Sequence, residues 1–541
     1  MKNRELIMRK MMRVLFKCAA LVMCAAALPN LQAVAAEGST ASAGLSASLH
    51  RFGVPWTEGE AASDAELPAV YRQLLERLRA VPQPDRPPLQ ACFYPGTDPK
   101  IVERVTQLLY MPSSNPADYY LRNRWTTTAH GSTGVEGNPI VLTYSFVPDG
   151  VNIAGGAGEA ASANRLNATM TSLFGSPNVW KPLFAQCFAR WSELSGITYQ
   201  EVSDDGAAFT SSAGVIGSRG DIRIAAHPID GAYGILAFNY YPNSGDMVLD
   251  SDEPWNETGG DNIFLRNVVM HEHGHGIGIN HVCPIVATKL LEPYYSPDFD
   301  GPQHDDIRAA QKYYGDRFEH NESAATATNL GNPPDGSYTV DNVGTDKAAD
   351  IDVYKITLPA GKRLTATLSP VGAGYYSDAQ NANGSCPTPA TLLNTVDDQN
   401  LEIRLIAPDG LTVLYNANSQ SAGVAESIPP TDLIAAGTYY LRVANTSANA
   451  VIQLYTLSYS IGNVPPPPAP TGLVLTTDSA NTVGILAWNP VSQSGITYQI
   501  FADSLVSGPF LTSLGTVSDT FFIDTIATAA ERRFYWVKAL R

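Results

Sequence analysis

Four of the nine histidines in this 541-residue chain fall between positions 271 and 281, in the stretch HEHGHGIGINH. Residues four apart on a helix share a face, so His271 and His275 can offer two imidazoles to one ion. Gly278 then ends or bends the helix, because glycine reaches positive φ without a Cβ penalty, and the turn brings His281 back as a third ligand. Three neutral imidazoles with one open position suit a catalytic zinc, whereas a structural site would close with a fourth protein ligand. Glu272 leaves the helix at another angle, placed to hold the ion's water rather than the ion. His273 points elsewhere again and reads as a surface or supporting histidine. Val268, Val269 and Ile277 would bury the same helix against a sheet. The chemistry follows: zinc lowers the pKa of its water, Glu272 takes the proton during attack on a carbonyl and returns it to the departing amine. Peptide bonds fit this arrangement best.

The start of the chain carries a different signal. Lys2, Arg4, Arg9, Lys10, Arg13 and Lys17 precede an apolar run over 18–28, and Ala33, Val34 and Ala35 supply a small-x-small cleavage site, so residues 1–35 are expected to be a signal peptide for export. The run is shorter than the roughly 20 residues that a spanning helix needs, and no stable membrane insertion is expected. A formal net charge of −17 speaks against nucleic acid as a partner, because a binding face for phosphates must be basic. Export leaves Cys92, Cys187, Cys283 and Cys386, for which three complete pairings exist. Cys92 has three readings: a disulfide to Cys187 or Cys283, a thiol that blocks the zinc, or a free buried residue.

Pattern divides the remainder. Region 36–119 is helical, a candidate propeptide, with helices predicted over 67–81 and 100–109 and an apolar face of Val70, Leu74, Leu75 and Leu78. Region 120–320 mixes periods: a strand over 140–146, a helix over 180–194, a strand over 221–225, and helices over 262–276 and 303–314. Such mixing implies a sheet with helices packed on it. Over 331–461 short alternating runs separated by turns predict an antiparallel sandwich. Residues 462–468 form a Pro-rich linker, and 469–541 holds a second series of short strands.

His271, Glu272, His275, Gly278 and His281 match the metzincin signature, and further segments resemble the matrixin branch of zinc endopeptidases. Leu142, Thr143 and Tyr144 resemble that family's first strand, and 188–202 its first helix running into the second strand. The stretch from Asp230 through Gly234, Leu236 and Ala237 to Pro242 resembles its glycine-rich loop and edge strand. Gly245, Asp246, Asp250, Asp252, Glu253 and Trp255 resemble its acidic stretch, and Asp305, Asp306, Ile307, Gln311, Tyr314 and Gly315 its closing helix. The resemblance implies an α/β (α+β) metzincin catalytic domain with a mixed twisted sheet and an active-site helix. It also implies a secreted zinc endopeptidase acting on protein or peptide substrates. Asp230, Asp250 and Glu253 fall at family positions for a structural calcium ion. Phe238 and Val248 fall where the family holds a structural zinc, and His227 alone could not keep that ion. Leu291 stands where the family places a methionine beneath the catalytic zinc.

Residues 333–461 resemble the bacterial pre-peptidase C-terminal domain, through Asp350, Asp352, Tyr354, the turn at 359–361 and AGTYYLRV. The last region resembles a fibronectin type III module, with Trp488 and Tyr498 expected in its core. These two all-β domains are candidate contacts for matrix or cell surface. The alternative to an enzyme is an adhesin or binding protein with a vestigial protease domain, and Glu272 weighs against it.

Overall fold

The computed structural model describes residues 64–81, 87–109, 120–210, 213–257, 261–347, 350–447, 451–479, 482–493, 495–525 and 532–541. The expected signal peptide lies outside them. No described helix is long and apolar enough to cross a membrane.

A six-stranded sheet organises the first half of the chain. Its strands are β1 (Leu89–Phe93), β2 (Ile140–Phe146), β3 (Ile197–Glu201), β4 (Ile222–His227), β5 (Ile235–Tyr240) and β6 (Met247–Asp250), in the spatial order β1-β5-β6-β4-β2-β3. β3, β2, β4 and β6 run parallel, β5 is antiparallel to β6, and β1 is antiparallel to β5. Every residue of β4, β5 and β6 is buried, as expected where both faces of a parallel sheet are covered.

Alternation along β4 shows which layer covers which face. Ile222, Ile224 and Ala226 point into a core built with Trp180, Phe184, Phe188 and Trp191 of helix α4 (Pro177–Leu194) and with Val268 and Val269 of helix α5 (Ile263–Gly276). Ala225 faces the other way, with Phe238 and Val248, against Leu74, Leu75 and Leu78 of helix α1 (Ala69–Ala80) and Ile101, Val102 and Val105 of helix α2 (Pro99–Leu109). The N-terminal helices therefore form a layer of this sheet rather than a detached module. Val70 is 39% exposed and does not belong to the apolar face assigned to it; Leu67 takes its place among the buried residues. α3 (Leu166–Phe174) and β1 were not anticipated. α4 starts ahead of the predicted 180 and carries Pro182 inside it.

Helix α6 (His304–Tyr314) closes this domain through a capping box between Gln303 and Asp306 and meets the following domain directly. Its buried Arg308 donates to the Ile452 carbonyl at 3.1 Å and the Tyr375 hydroxyl at 3.0 Å, and pairs with Asp398. Ile452 and Leu454 join the core of the first domain. The second domain is a five-stranded and a four-stranded sheet packed on Tyr354, Leu364, Leu368, Ile403, Leu441 and Leu457. Beyond the proline run, two three-stranded sheets enclose Leu486, Trp488, Tyr498 and Ile500, so both aromatics lie in the core as expected.

The junction of the first two domains gathers carboxylates. Oxygens of Glu319, Asp346 and Asp350 lie within 4.8 Å of one another, with the Lys347 ammonium 3.1 Å from Asp346 and 3.4 Å from Asp350. Burial, then the charges of Asp350, Asp316 and Asp346, push Glu319 up to about 9. Burial, then Asp250 and Asp230, push Glu253 up to about 8. A carboxyl whose pKa is raised by folding favours the folded state fully below its unfolded value near 4.3 and loses that contribution as pH rises through the folded value. With EDTA present to remove divalent cations, the thermal midpoint should therefore fall between pH 7 and pH 9. Glu319→Gln should flatten the slope; an unchanged slope would contradict the assignment.

Candidate active site

Helix α5 is buried along its length, and two glycines set its geometry. A Cβ on Gly274 would lie 2.9 Å from the Leu291 side chain, which is buried beneath the helix. Gly278 has φ 101°, and a Cβ there would lie 2.2 Å from the Asn123 carbonyl. The turn at Gly278 brings His281 beside the helix. Nε2 of His271 lies 3.1 Å from Nε2 of His275 and 3.2 Å from Nε2 of His281. All three side chains are buried.

Each ring is oriented by its other nitrogen. Nδ1 of His271 lies 2.6 Å from the Leu290 carbonyl, Nδ1 of His275 2.7 Å from the Ile279 carbonyl, and Nδ1 of His281 3.3 Å from Oε1 of Gln380. Because oxygens of this kind only accept, each Nδ1 must be the N–H and each Nε2 a bare lone pair. Three lone pairs converging at about 3 Å cannot hydrogen-bond to one another. Burial holds His271 down to about 4 and, with the neighbouring rings, pushes His275 and His281 well below the usual range, so protonation is no remedy either. A cation is. Tetrahedral zinc with Zn–N bonds of about 2.0–2.1 Å would space its nitrogens at about 3.3 Å.

Glu272 is fully buried and neither carboxylate oxygen has a hydrogen-bond partner. Burial raises its pKa well above the carboxylate range. His273 is not at the surface: it is buried beneath the helix with Nε2 2.6 Å from the Tyr199 hydroxyl. It supports the helix from the core and stays out of the imidazole cluster.

β1 lies in the cleft. On one side it pairs antiparallel with β5; on the other the Phe93 N–H donates to the Pro293 carbonyl at 3.0 Å, and the Tyr295 N–H to the Phe93 carbonyl at 3.0 Å. An extended segment is thus held between both walls beside the histidines, and β5, expected at the edge, is covered. The disulfide first considered for Cys92 does not form, because Cys283 is bonded to Cys386, while Cys187 is buried on α4 with its thiol donating to the Leu183 carbonyl. Instead Sγ of Cys92, a ring nitrogen of His271 and an oxygen of Glu272 lie within 4.8 Å of one another. Gln90 of the same strand accepts from the His281 N–H at 3.1 Å.

The remaining predicted residues form a separate group beside β5. Asp230 accepts from the Ile235 N–H at 3.0 Å, Asp250 from the Asp230 and Gly231 N–H groups at 3.1 and 3.2 Å, and Glu253 from the Tyr233 N–H at 2.6 Å. Oε2 of Glu253 has no partner. The three do not form a set whose oxygens all lie within 4.8 Å. His227 pairs with Glu159 at 2.8 Å, and Phe238 and Val248 are buried among apolar side chains. The three groups that orient the rings escaped the sequence reading. The Leu290 and Ile279 carbonyls carry no side-chain signal, and Gln380 lies in another domain.

Fold and site together are a mostly parallel sheet, an antiparallel strand along the cleft, and a helix ending in a three-imidazole cluster beside a buried carboxylate, a donor set that suits a metal ion. Residues 168–315 match the matrixin family, and residues 350–445 match the bacterial pre-peptidase C-terminal domain. The likeness to the matrixins is confined to the first of these segments. Relatives include the hatching enzyme of Paracentrotus lividus, 31% identical over 159 residues, 27% of this chain and 24% of that protein. Karilysin of Tannerella forsythia is 31% identical over 162 residues, 29% of this chain and 32% of that protein. Matrix metalloproteinase-18 of Xenopus laevis is 37% identical over 142 residues, 24% of this chain and 27% of that protein. The chain thus spans a quarter to a third of the curated relatives it matches. Among solved structures, Aeromonas hydrophila PliG aligns over 25% of this chain and 97% of that one, at 14% identity and a TM-score of 0.16, too low to carry an argument.

Proposed function

We propose that the protein is an exported zinc endopeptidase, with His271, His275 and His281 as zinc ligands and Glu272 as general base and acid. The observation that carries this reading is the convergence of three Nε2 lone pairs beside a buried, unpaired carboxylate. Bound zinc would supply a water of lowered pKa and polarise the scissile carbonyl. Glu272 would take the water's proton and deliver it to the departing amine. An extended substrate would take the path now followed by β1, using the N–H and C=O groups of β5 and of the 293–295 segment. Asp230, Asp250 and Glu253 suit a calcium ion, a hard cation that prefers oxygen donors. The test is metal analysis of the purified chain together with cleavage of a mixed protein substrate before and after chelation. Stoichiometric zinc and activity that returns with zinc support the proposal; cleavage indifferent to chelation overturns it.

The N-terminal region is a propeptide under this reading, with β1 in the substrate path and the Cys92 thiol facing the metal position. A thiolate is a competent zinc ligand. Cys92→Ser should therefore cleave substrate from the first mixing, while the unaltered chain shows a lag that ends as the N-terminal segment is cut. Identical progress curves would reject the thiol as a block.

A further inference from the structure

Two of the three imidazoles are oriented by main-chain carbonyls of the protease domain, from Leu290 and Ile279. The third is oriented by a side chain 99 positions further on, in the second domain. We infer that Gln380 is a positioning residue for the metal ligand His281, and that the 377–386 segment of the second domain is a built part of the metal centre. The inference rests on the zinc reading given above.

Several independent contacts hold this segment in place. Strand β7 (Val282–Cys283), which directly follows His281, pairs antiparallel with strand β8 (Asp378–Ala379), which directly precedes Gln380. The Cys283–Cys386 disulfide closes the far end of the same flap. Between these ties the chain turns tightly, with the Asn381 N–H on the Ser385 carbonyl at 2.8 Å and the Gly384 N–H on the Asn381 carbonyl at 2.9 Å. At the base, the Tyr375 hydroxyl donates to Asp305 on α6 at 2.6 Å.

The amide itself is fixed. Nε2 of Gln380 donates to the Gly384 carbonyl at 2.9 Å, which leaves Oε1 as the atom facing Nδ1 of His281. Gln380 is only 7% exposed, so water does not readily substitute for it. An acceptor at Nδ1 selects the tautomer with a free Nε2 lone pair, holds the ring plane toward the ion and raises ligand basicity. Partners of this kind typically contribute 10–100-fold to metal affinity.

The test uses the full chain and measures zinc affinity by competition with a chromophoric chelator. It also records the visible spectrum of the cobalt-substituted protein. Gln380→Met, which keeps the volume but removes the acceptor, should weaken zinc binding about 10–100-fold and alter the cobalt spectrum, with the metal-free thermal midpoint unchanged. Gln380→Glu restores an acceptor and should return affinity to within a few-fold of the unaltered chain. If Gln380→Met does not fold, Cys386→Ser decides: it frees the flap without touching Gln380 and should weaken zinc binding several-fold. Unchanged affinity in whichever variant folds overturns the inference and leaves the zinc reading standing. An unaltered chain that binds no zinc defeats both.

Discussion

Glu272→Ala should keep zinc near stoichiometry and lose about 10²–10⁴-fold in peptide cleavage, the range for a positioned general acid–base group. The two effects separate because Glu272 is not one of the three converging nitrogens, and the rings of His271 and His275 are held by main-chain carbonyls that the substitution leaves in place. Removing a fully buried carboxyl whose oxygens have no partner also removes no hydrogen bond from the fold. The comparison is best made in a Cys92→Ser background, so that the N-terminal thiol does not mask the rate, with metal content and cleavage products measured on the same preparation. Equal cleavage by both proteins would remove Glu272 from the mechanism.

The second large effect concerns stability. Arg223 on β4 is fully buried and grips Asp204 with Nη2 to Oδ1 at 2.7 Å and Nε to Oδ2 at 2.9 Å, while Nη1 donates to the Ala208 carbonyl at 3.0 Å. Burial alone would raise the Asp204 pKa, but hydrogen bonds from Arg223 and Ser145 outweigh it and hold the carboxyl below its usual range. Arg223→Ala strands that carboxylate in the interior, and breaking a buried pair from one side costs about 3–5 kcal/mol. Such a loss is a large part of a domain's stability. Denaturant titration should show the first transition at markedly lower concentration. Replacing both partners, Arg223→Met with Asp204→Asn, should recover much of it, and a double variant no better than Arg223→Ala would mean that the stranded charge is not the cause.

Local periodicity made much of the fold legible. β2 spans 140–146 as expected, and α5 and α6 differ from expectation by one residue at their starts, because apolar spacing and glycine stops are properties of contiguous sequence. The convergence of His271, His275 and His281 was legible for the same reason: eleven residues contain all three. What escaped depends on distant pairing. LQACF is too short to announce itself beside a proline-rich stretch, and its strand character comes from β5 and the 293–295 segment, which supply its hydrogen bonds. Cys92 could not be assigned because four cysteines fix no connectivity, and the partner that Cys283 took lies 103 positions away. His273 stayed between a surface and a supporting role because two-residue spacing on a helix shows only that it leaves the ligand face, while Phe188 and Tyr199 decide that this other face is also interior.

The crosslink from Cys283 to Cys386 also bears on what proteolytic trimming can do. It joins the turn after His281 to the second domain, while the main chain between the two domains runs through residues 316–327. A nick in that connection would leave two fragments still held by one covalent bridge, so the sandwich would be shed only where the surroundings reduce disulfides. In an oxidising medium the processed molecule would remain a single body under native conditions and separate on a gel only after thiol treatment.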